Sequence, residues 1–307
     1  MEGKAVSYGK FKEMNTVKGR SFRMMLLALA TVFMVAGCGG DNSDKVSNPD
    51  GAVAFAIHEQ SDGIPGKLLN DVKAKSEGAG WQFVNEIAGG NANLQLDQVN
   101  KMVDDKAAAI VVIAQNGDSI VPAVKRANEA GIPVIATNRD INGGVFTNVV
   151  NNERQAGELQ ADYMAAHLPQ NAKVVYIKGD MTISAAVNRY EGFKEAIKAK
   201  RPDVEIIASN STGDWSEAQG IRELSLWLGM YPQIDGVAAA NDYMAMGAIK
   251  AMKAAGRFND SVIVCGVDSI DDALASIAAG ELKMTVKQDA DKIVETIMGL
   301  LQQIKQG

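Results

Sequence analysis

Three apolar runs in this sequence end abruptly in strongly polar side chains. In "GIPVIATNRDINGG" (131–144) the run carrying Ile132, Val134 and Ile135 gives way to Asn138, Arg139 and Asp140. In "IDGVAAANDYM" residues 237–240 lead into Asn241 and Asp242, and in "SVIVCGVDSIDD" residues 262–267 lead into Asp268. Asp268 accepts through two carboxylate oxygens, Arg139 donates through a rigid planar fork, and Asn241 and Gln288 do both. Trp215, in the loop after "SNSTGD", offers an indole face on which the C–H face of a ring can lie. Such a mixture suits a neutral polyhydroxylated molecule, because each hydroxyl that leaves water needs a new partner. A hydrogen bond to a charged group is worth roughly 1.5–3 kcal/mol and a neutral one about 1 kcal/mol. Competing duties exist for the same residues. Asn and Asp after a strand also cap helices, so "ANDYM" divides Asn241 and Asp242 between a cap at Tyr243 and a cleft. Arg139 has a surface ion pair as its alternative, and Trp215 has packing at a helix start.

Signatures of catalysis are missing. No G-x-G-x-x-G follows a strand, and neither a Walker A loop nor a G-x-S-x-G elbow occurs. His58 and His167 are the two histidines, and they are not paired at metal-ligand spacing. The expectation is a protein that binds without reacting, with no metal and no cofactor. His167 closes a helix pattern, where a solvated side chain near the helix C-terminus is expected. Trp81, Trp227, Met244, Met246 and Cys265 fall within strand or helix patterns and are expected to pack.

The polar groups must be carried by elements, and the pattern of those elements is regular. The 307 residues are 47% hydrophobic and 22% charged, an ordinary globular composition. A net charge of −6 and a pI near 5.1 argue against a nucleic-acid groove, which needs a basic stripe. From Ala52 onward, short near-continuous apolar runs such as "AVAFAI", "AAIVVIA" and "KVVYIK" alternate with amphipathic stretches such as "GKLLNDVKAKSEGAG". Apolar strands separated by helices predict parallel sheets covered on both faces, a doubly wound α/β architecture. A faint internal repeat supports two lobes. "AQNGDSIVPAVKRANEAG" and "AANDYMAMGAIKAMKAAG" align without gaps, pairing Asn116 with Asn241 and Gly131 with Gly256. In open α/β sheets ligands bind beyond the carboxyl ends of the strands, which are the places where the polar groups stand.

The N-terminus reads differently. Lys10, Lys12, Lys18, Arg20 and Arg23 precede "MMLLALATVFMVAG", an apolar stretch too short to span a bilayer. Val35, Ala36, Gly37 and Cys38 resemble the bacterial lipobox, in which the cysteine is acylated and becomes the first mature residue. Residues 1–37 are therefore expected to be a lipoprotein signal peptide, with translation starting at Met1 or Met14. Residues 38–51, rich in Gly, Ser, Asn and Asp, are expected to form a flexible tether. With Cys38 acylated, Cys265 has no disulfide partner.

Taken in order, "GIPVIATNRD", "SAAVNRYEGFKEAI", "GVAAANDYMAMGAIKAM", "VIVCGVDS" and "MTVKQDADKIV" resemble the type I periplasmic sugar-binding proteins, the ribose- and galactose-binding group that feeds ABC importers. The resemblance runs from Ala52 to about Lys305. It implies two doubly wound parallel-sheet lobes joined by a hinge and closing on one sugar or polyol. The N-terminal lobe would comprise residues 52–151 plus 289–307, and the C-terminal lobe residues 152–288. Hinge crossings would fall near Asn151–Asn152 and Gln288–Asp289. Carried over by position, the sugar contacts would be His58, Asp62, Asn138, Arg139, Asn188, Trp215, Asn241, Asp268 and Gln288.

The sequence departs from the family pattern in three places. Ile64 and Pro65 stand where an aromatic residue is usual. Val187 replaces an arginine, with Asn188 and Arg189 beside it and Arg189 assigned to the hinge side. The family's C-terminal segment beyond the last helix is not in this sequence. The implied protein is a monomeric, lipid-anchored binding protein facing the periplasm or cell exterior and serving an ABC permease. A sugar sensor presenting its closed form to a receptor or kinase is the alternative. A sugar-responsive repressor shares the fold but would need a DNA-binding N-terminus in place of the export signal.

Overall fold

The computed structural model describes residues 6–8, 11–14, 51–60, 63–211 and 213–306. Of the sequence expectations, Cys38 with the lipobox and apolar stretch, most of the tether, and Asp62 lie outside the described residues.

The strands are β1 (Val6–Tyr8), β2 (Phe11–Met14), β3 (Val53–Ile57), β4 (Phe83–Ile87), β5 (Ala109–Ile113), β6 (Val134–Thr137), β7 (Thr147–Asn151), β8 (Lys173–Ile177), β9 (Glu205–Asn210), β10 (Gly236–Ala239), β11 (Ile263–Asp268) and β12 (Met284–Lys287). They form two sheets, in the orders β2-β7-β6-β5-β3-β4 and β1-β12-β11-β10-β8-β9. Every neighbouring pair is parallel except β2 with β7. β1 and β2 occupy free edges only, so removal of a leader ending before Cys38 would leave two five-stranded, all-parallel sheets. Nine helices among the described residues cover the sheets: α1 (Ile64–Gly78), α2 (Ala92–Asp104), α3 (Val121–Glu129), α4 (Glu153–His167), α5 (Ser184–Lys200), α6 (Glu217–Met230), α7 (Asp242–Ala254), α8 (Asp271–Ala278) and α9 (Ala290–Gln306).

The period-2 alternation of a strand explains how one sheet supports two cores. In β3, Val53, Phe55 and Ile57 pack with Leu68 and Val72 of α1 and with Ile293, Ile297 and Leu301 of α9. Ala54 and Ala56 point to the other face, where they meet Val99 of α2 and Ala123, Val124 and Ala127 of α3. The last helix therefore returns to the first sheet after the chain has built the second. A single cluster that includes Tyr176, Phe193, Leu224, Met244 and Ile249 forms the core of the second lobe. Trp81, Trp227, Met244 and Cys265 are all buried, as the sequence patterns predict, and Met246 packs partly buried against the same core.

Helix starts follow from capping chemistry. Asn91, Asn152, Ser216 and Asn241 each accept a backbone N–H from the first turn of α2, α4, α6 and α7. The aligned repeat marks equivalent places: Gly131 and Gly256 follow α3 and α7 at φ +75° and +66°, a left-handed conformation that glycine adopts without a Cβ clash. Two helix pairs cross backbone to backbone. A Cβ at Gly157 of α4 would lie 1.9 Å from the Arg189 carbonyl oxygen of α5, and one at Gly220 of α6 would lie 2.1 Å from that of Met244 in α7. These contacts hold α4 against α5 and α6 against α7, and the N-terminal ends of α5, α6 and α7 stand on one rim.

Candidate ligand-binding cleft

The rim faces the strand ends of the other lobe across a cavity of about 670 Å³. From the first lobe it is lined by His58, Glu59, Gly63, Ile64, Pro65, Gln115, Asn138 and Arg139. Asp180, Ile183, Ala185, Arg189, residues 213–217, Asn241, Tyr243 and Asp268 line it from the second, and Gln288 from the crossing between them. The structure thus assembles seven of the nine positions named from the sequence: His58, Asn138, Arg139, Trp215, Asn241, Asp268 and Gln288. Asp62 is not described. Asn188 is a correction: it is exposed on α5 and does not line the cavity. One residue is 100° of helix rotation, so the face that turns Asn188 to solvent turns its neighbour Arg189 inward.

Arg189 is 3% exposed and does more than support the hinge side. Its Nε donates to Glu153 Oε2 at 2.6 Å, its Nη1 donates to the Ala240 carbonyl at 2.5 Å, and Nη1 stands 3.9 Å from Asp268 Oδ1. Asp268 also accepts from Gln288 Nε2 at 2.8 Å, and Gln288 Oε1 accepts from Asn151 Nδ2 at 2.9 Å. Burial pushes the Asp268 carboxyl up to about 7, against the opposing pull of Arg189 and the Gln288 N–H and with help from Glu153. Asp242 lies behind, fully buried, accepting from Thr285 Oγ1 at 2.7 Å and the Ile270 N–H at 3.1 Å. The division of "ND" is resolved: Asn241 both caps α7 and borders the cleft, whereas Asp242 ties α7 to β12 and the start of α8.

Trp215 is held from three sides. Its N–H donates to Gln219 Oε1 at 2.9 Å, and its carbonyl accepts from Asn241 Nδ2 at 2.8 Å. Its ring lies so close to Gly179 that a Cβ there would stand 2.2 Å from Cη2 and Cζ2. The Arg189 guanidinium carbon is 5.8 Å from the ring centre.

On the facing lobe, His58 is 2% exposed, and burial followed by the nearby Arg139 charge lowers it to about 3. It is therefore a neutral imidazole at pH 7. Arg139 reaches the Ala114 carbonyl at 3.3 Å and the Gln115 carbonyl at 3.5 Å, with no carboxylate within ion-pair distance among the described residues. Burial lowers it to about 10, partly offset by Glu59 and Asp180. Among the described residues, Arg139 bonds to backbone carbonyls in place of the surface ion pair that was its alternative.

Two further features recur at this cavity, and each also occurs elsewhere among the described residues, the first at Lys106 and Asn171 and the second at Gln98 and Asn148. Asn138, Trp215 and Asp268 have φ of 61°, 53° and 121°, values that cost energy for any residue with a Cβ. His58 Nδ1, Gln115 Oε1 and Trp215 Nε1 are buried polar atoms without a hydrogen-bond partner. Strained backbone and unpaired polar atoms at one cavity are what a preorganised binding site contains. Gln115 and Asp180 were not named from the sequence, yet each follows an apolar strand, β5 or β8, and the strand-end signal that found Asn138 marks them too. Glu59 and Asp214 adjoin named residues. Asp214 is paired with Arg222, and Glu217, also on the rim, with Lys250.

A family profile described as the periplasmic binding protein domain matches residues 53–307. The chain is 35% identical over 229 residues to a putative rhizopine-binding protein of Rhizobium meliloti, covering 73% of this chain and 71% of that protein. It is 30% identical over 270 residues to the xylitol-binding protein of Mycolicibacterium smegmatis, covering 87% and 74%. Among solved structures, an ABC transporter solute-binding protein from Bacillus halodurans with bound myo-inositol superposes with a TM-score of 0.76 at 28% identity, covering 85% of this chain and 91% of that one.

Proposed function

The chain belongs to the periplasmic binding protein family, and from that premise we propose that it is an exported lipoprotein that captures a monosaccharide or polyol between its lobes and delivers it to an ABC importer. It is a solute-binding protein and not an enzyme. The observation that carries the reading is the cleft itself. An acceptor, Asp268, and a donor, Arg139, stand on opposite lobes, and an indole face lies on the wall between Gly179 and Arg189. Hydroxyl groups projecting from the edge of a ring meet donors and acceptors, and the C–H face of the ring meets Trp215. One relative is a xylitol-binding protein and one similar structure holds myo-inositol, which supports small polyhydroxylated ligands for this cleft as well. Import is preferred over sensing because the myo-inositol-bound structure is an ABC transporter component.

A thermal-shift screen of the purified protein against pentoses, hexoses, inositols and linear polyols tests the reading. A ligand at 100 times its Kd stabilises by about 2.7 kcal/mol, an easily measured rise in Tm. No shift with any member of the panel would remove the sugar or polyol assignment. The lipid anchor has its own test. Cys38→Ser is expected to abolish incorporation of labelled palmitate and to release the protein from membranes; continued labelling would show that Cys38 is not the acylated residue.

A further inference from the structure

The cleft connects to the hinge through a chain of side chains whose direction is fixed at one end. An ionised Asp268 can only accept, so Gln288 must turn its nitrogen toward it, which it does at 2.8 Å. The other end of the same amide, Oε1, then faces Asn151 and needs a donor, which Asn151 Nδ2 supplies at 2.9 Å. Asn151 is the last residue of β7, just before the first crossing, and Gln288 follows β12 at the start of the second. The bond between them ties one crossing to the other, and Asn151 itself does not line the cavity.

We propose that Asn151 is a positioning residue for ligand capture: its N–H on Gln288 Oε1 fixes the Gln288 amide with nitrogen toward Asp268, and so keeps the Asp268 carboxylate presented to the ligand as an acceptor. The inference rests on the reading of the cleft as a sugar or polyol site. Its physical core is that the amide has two ends of opposite polarity, and only one assignment of them suits a carboxylate. If the Asn151 donor is lost, Gln288 can reverse and offer Oε1, an arrangement that suits a protonated Asp268. The other charged groups around Asp268 do not replace the missing donor. Arg189 on α5 is committed to Glu153 of α4 and to the Ala240 carbonyl. Asp242 on α7 is an acid, and Lys287, the β12 register partner of Asp268, acts on Asp291. Burial already holds Asp268 near 7, so a small loss of stabilisation removes its charge at neutral pH.

Two measurements on the full mature chain test this. The first needs no ligand: the Asp268 carboxyl carbon is titrated by ¹³C NMR, its resonance assigned by its loss in Asp268→Asn. Asn151→Leu is expected to raise the midpoint by about one pH unit. Asn151→Ala, which removes the donor without adding a charge, is expected to raise it equally. Unchanged midpoints in both would overturn the proposal, and Asn151→Ala keeps the test available if Asn151→Leu does not fold.

The second is calorimetry with xylitol, myo-inositol and D-ribose at pH 7 and pH 9. For a probe that wild type binds, Asn151→Leu should bind about fivefold more weakly at pH 7 and nearly equally at pH 9, following the ionised fraction of Asp268. An equal deficit at both pH values would mean that Asn151 acts only as a spacer. Failure of wild type to bind any of the three probes counts against the ligand reading, while the carboxyl titration still decides the role of Asn151.

Discussion

The site depends on a few residues in conformations that their neighbours impose. Trp215 combines φ of +53° with a ring pressed on Gly179, so the indole plane is set by the absence of a side chain at residue 179. Gly179→Ala is expected to push the ring off its seat and weaken binding as much as Trp215→Ala, with little change in the unliganded Tm, since both lie at the rim. Calorimetry of the two variants against wild type checks this, and normal affinity in Gly179→Ala would reduce Trp215 to packing. Asp268 supplies a pH dependence whose sign follows from its raised value. Hydroxyl donors bind the carboxylate form, so affinity should be greatest above pH 7 and decline as pH falls through about 7. The stability of the unliganded fold runs the other way. A carboxyl that binds its proton more tightly when folded adds stability below its ordinary value of 3.8, and that stability is lost as pH rises through about 7. Calorimetric Kd and urea stability measured from pH 5 to 9 should therefore trend oppositely, and Asp268→Asn should flatten both trends while binding weakly.

At the scale of elements, capping and ligand presentation share residues. Asn241 accepts from Met244 N–H at 2.9 Å and donates to the Trp215 carbonyl at 2.8 Å, so one amide starts α7 and anchors the loop before α6. The two duties separate by substitution. Asn241→Asp keeps a capping oxygen and loses the donor, so stability should hold while affinity falls. Asn241→Ala loses both, and should cost about 1 kcal/mol of stability, a Tm decrease of roughly 2–4 °C for a chain of this size. Scanning calorimetry with and without a bound polyol distinguishes the two outcomes. The α4–α5 contact at Gly157 works in the same manner, because it sets the height at which Arg189 meets Glu153, Ala240 and Asp268.

For the whole molecule, the decisive property of the proposed site is that a candidate donor and a candidate acceptor for one ligand stand on different lobes. Arg139 follows β6 of the first sheet and Asp268 ends β11 of the second. A ligand held by both stabilises only a closed arrangement, and differential contact of this kind is what shifts a hinge equilibrium. A micromolar Kd corresponds to about −8 kcal/mol. Loss of Arg139 or Asp268, leaving a partner hydroxyl unpaired, should weaken binding roughly 30- to 1,000-fold. Small-angle scattering should show compaction when wild type binds its polyol and none at the same concentration in Arg139→Ala or Asp268→Ala. Full compaction with near-normal affinity in either variant would remove that residue from the site.

Much of this protein was determined by local chemistry and was legible in the sequence. Apolar runs of strand length, helices between them and polar residues at strand ends specify parallel sheets with a cleft at their carboxyl edge, because each rule acts within a few residues. The same rule reached Asn138, Arg139, Asn241 and Asp268, and would have reached Gln115 and Asp180. What only the tertiary structure decided are choices between neighbours. Asn188 and Arg189 are adjacent on α5, and the rotation that sends one to solvent and the other to Asp268 is fixed by the Gly157 contact with α4, 32 residues earlier in the chain. Asn241 and Asp242 both follow β10, and their roles separate only because Thr285 and Ile270 reach Asp242 from distant segments. The family resemblance places Asn151 at a crossing, but its bond to Gln288 is not legible in the sequence, since that partner lies 137 residues away and the direction of the bond is set by a carboxylate further still along the network. Periodicity records which face an element buries, whereas the angle at which two such faces meet is a property of the packed whole.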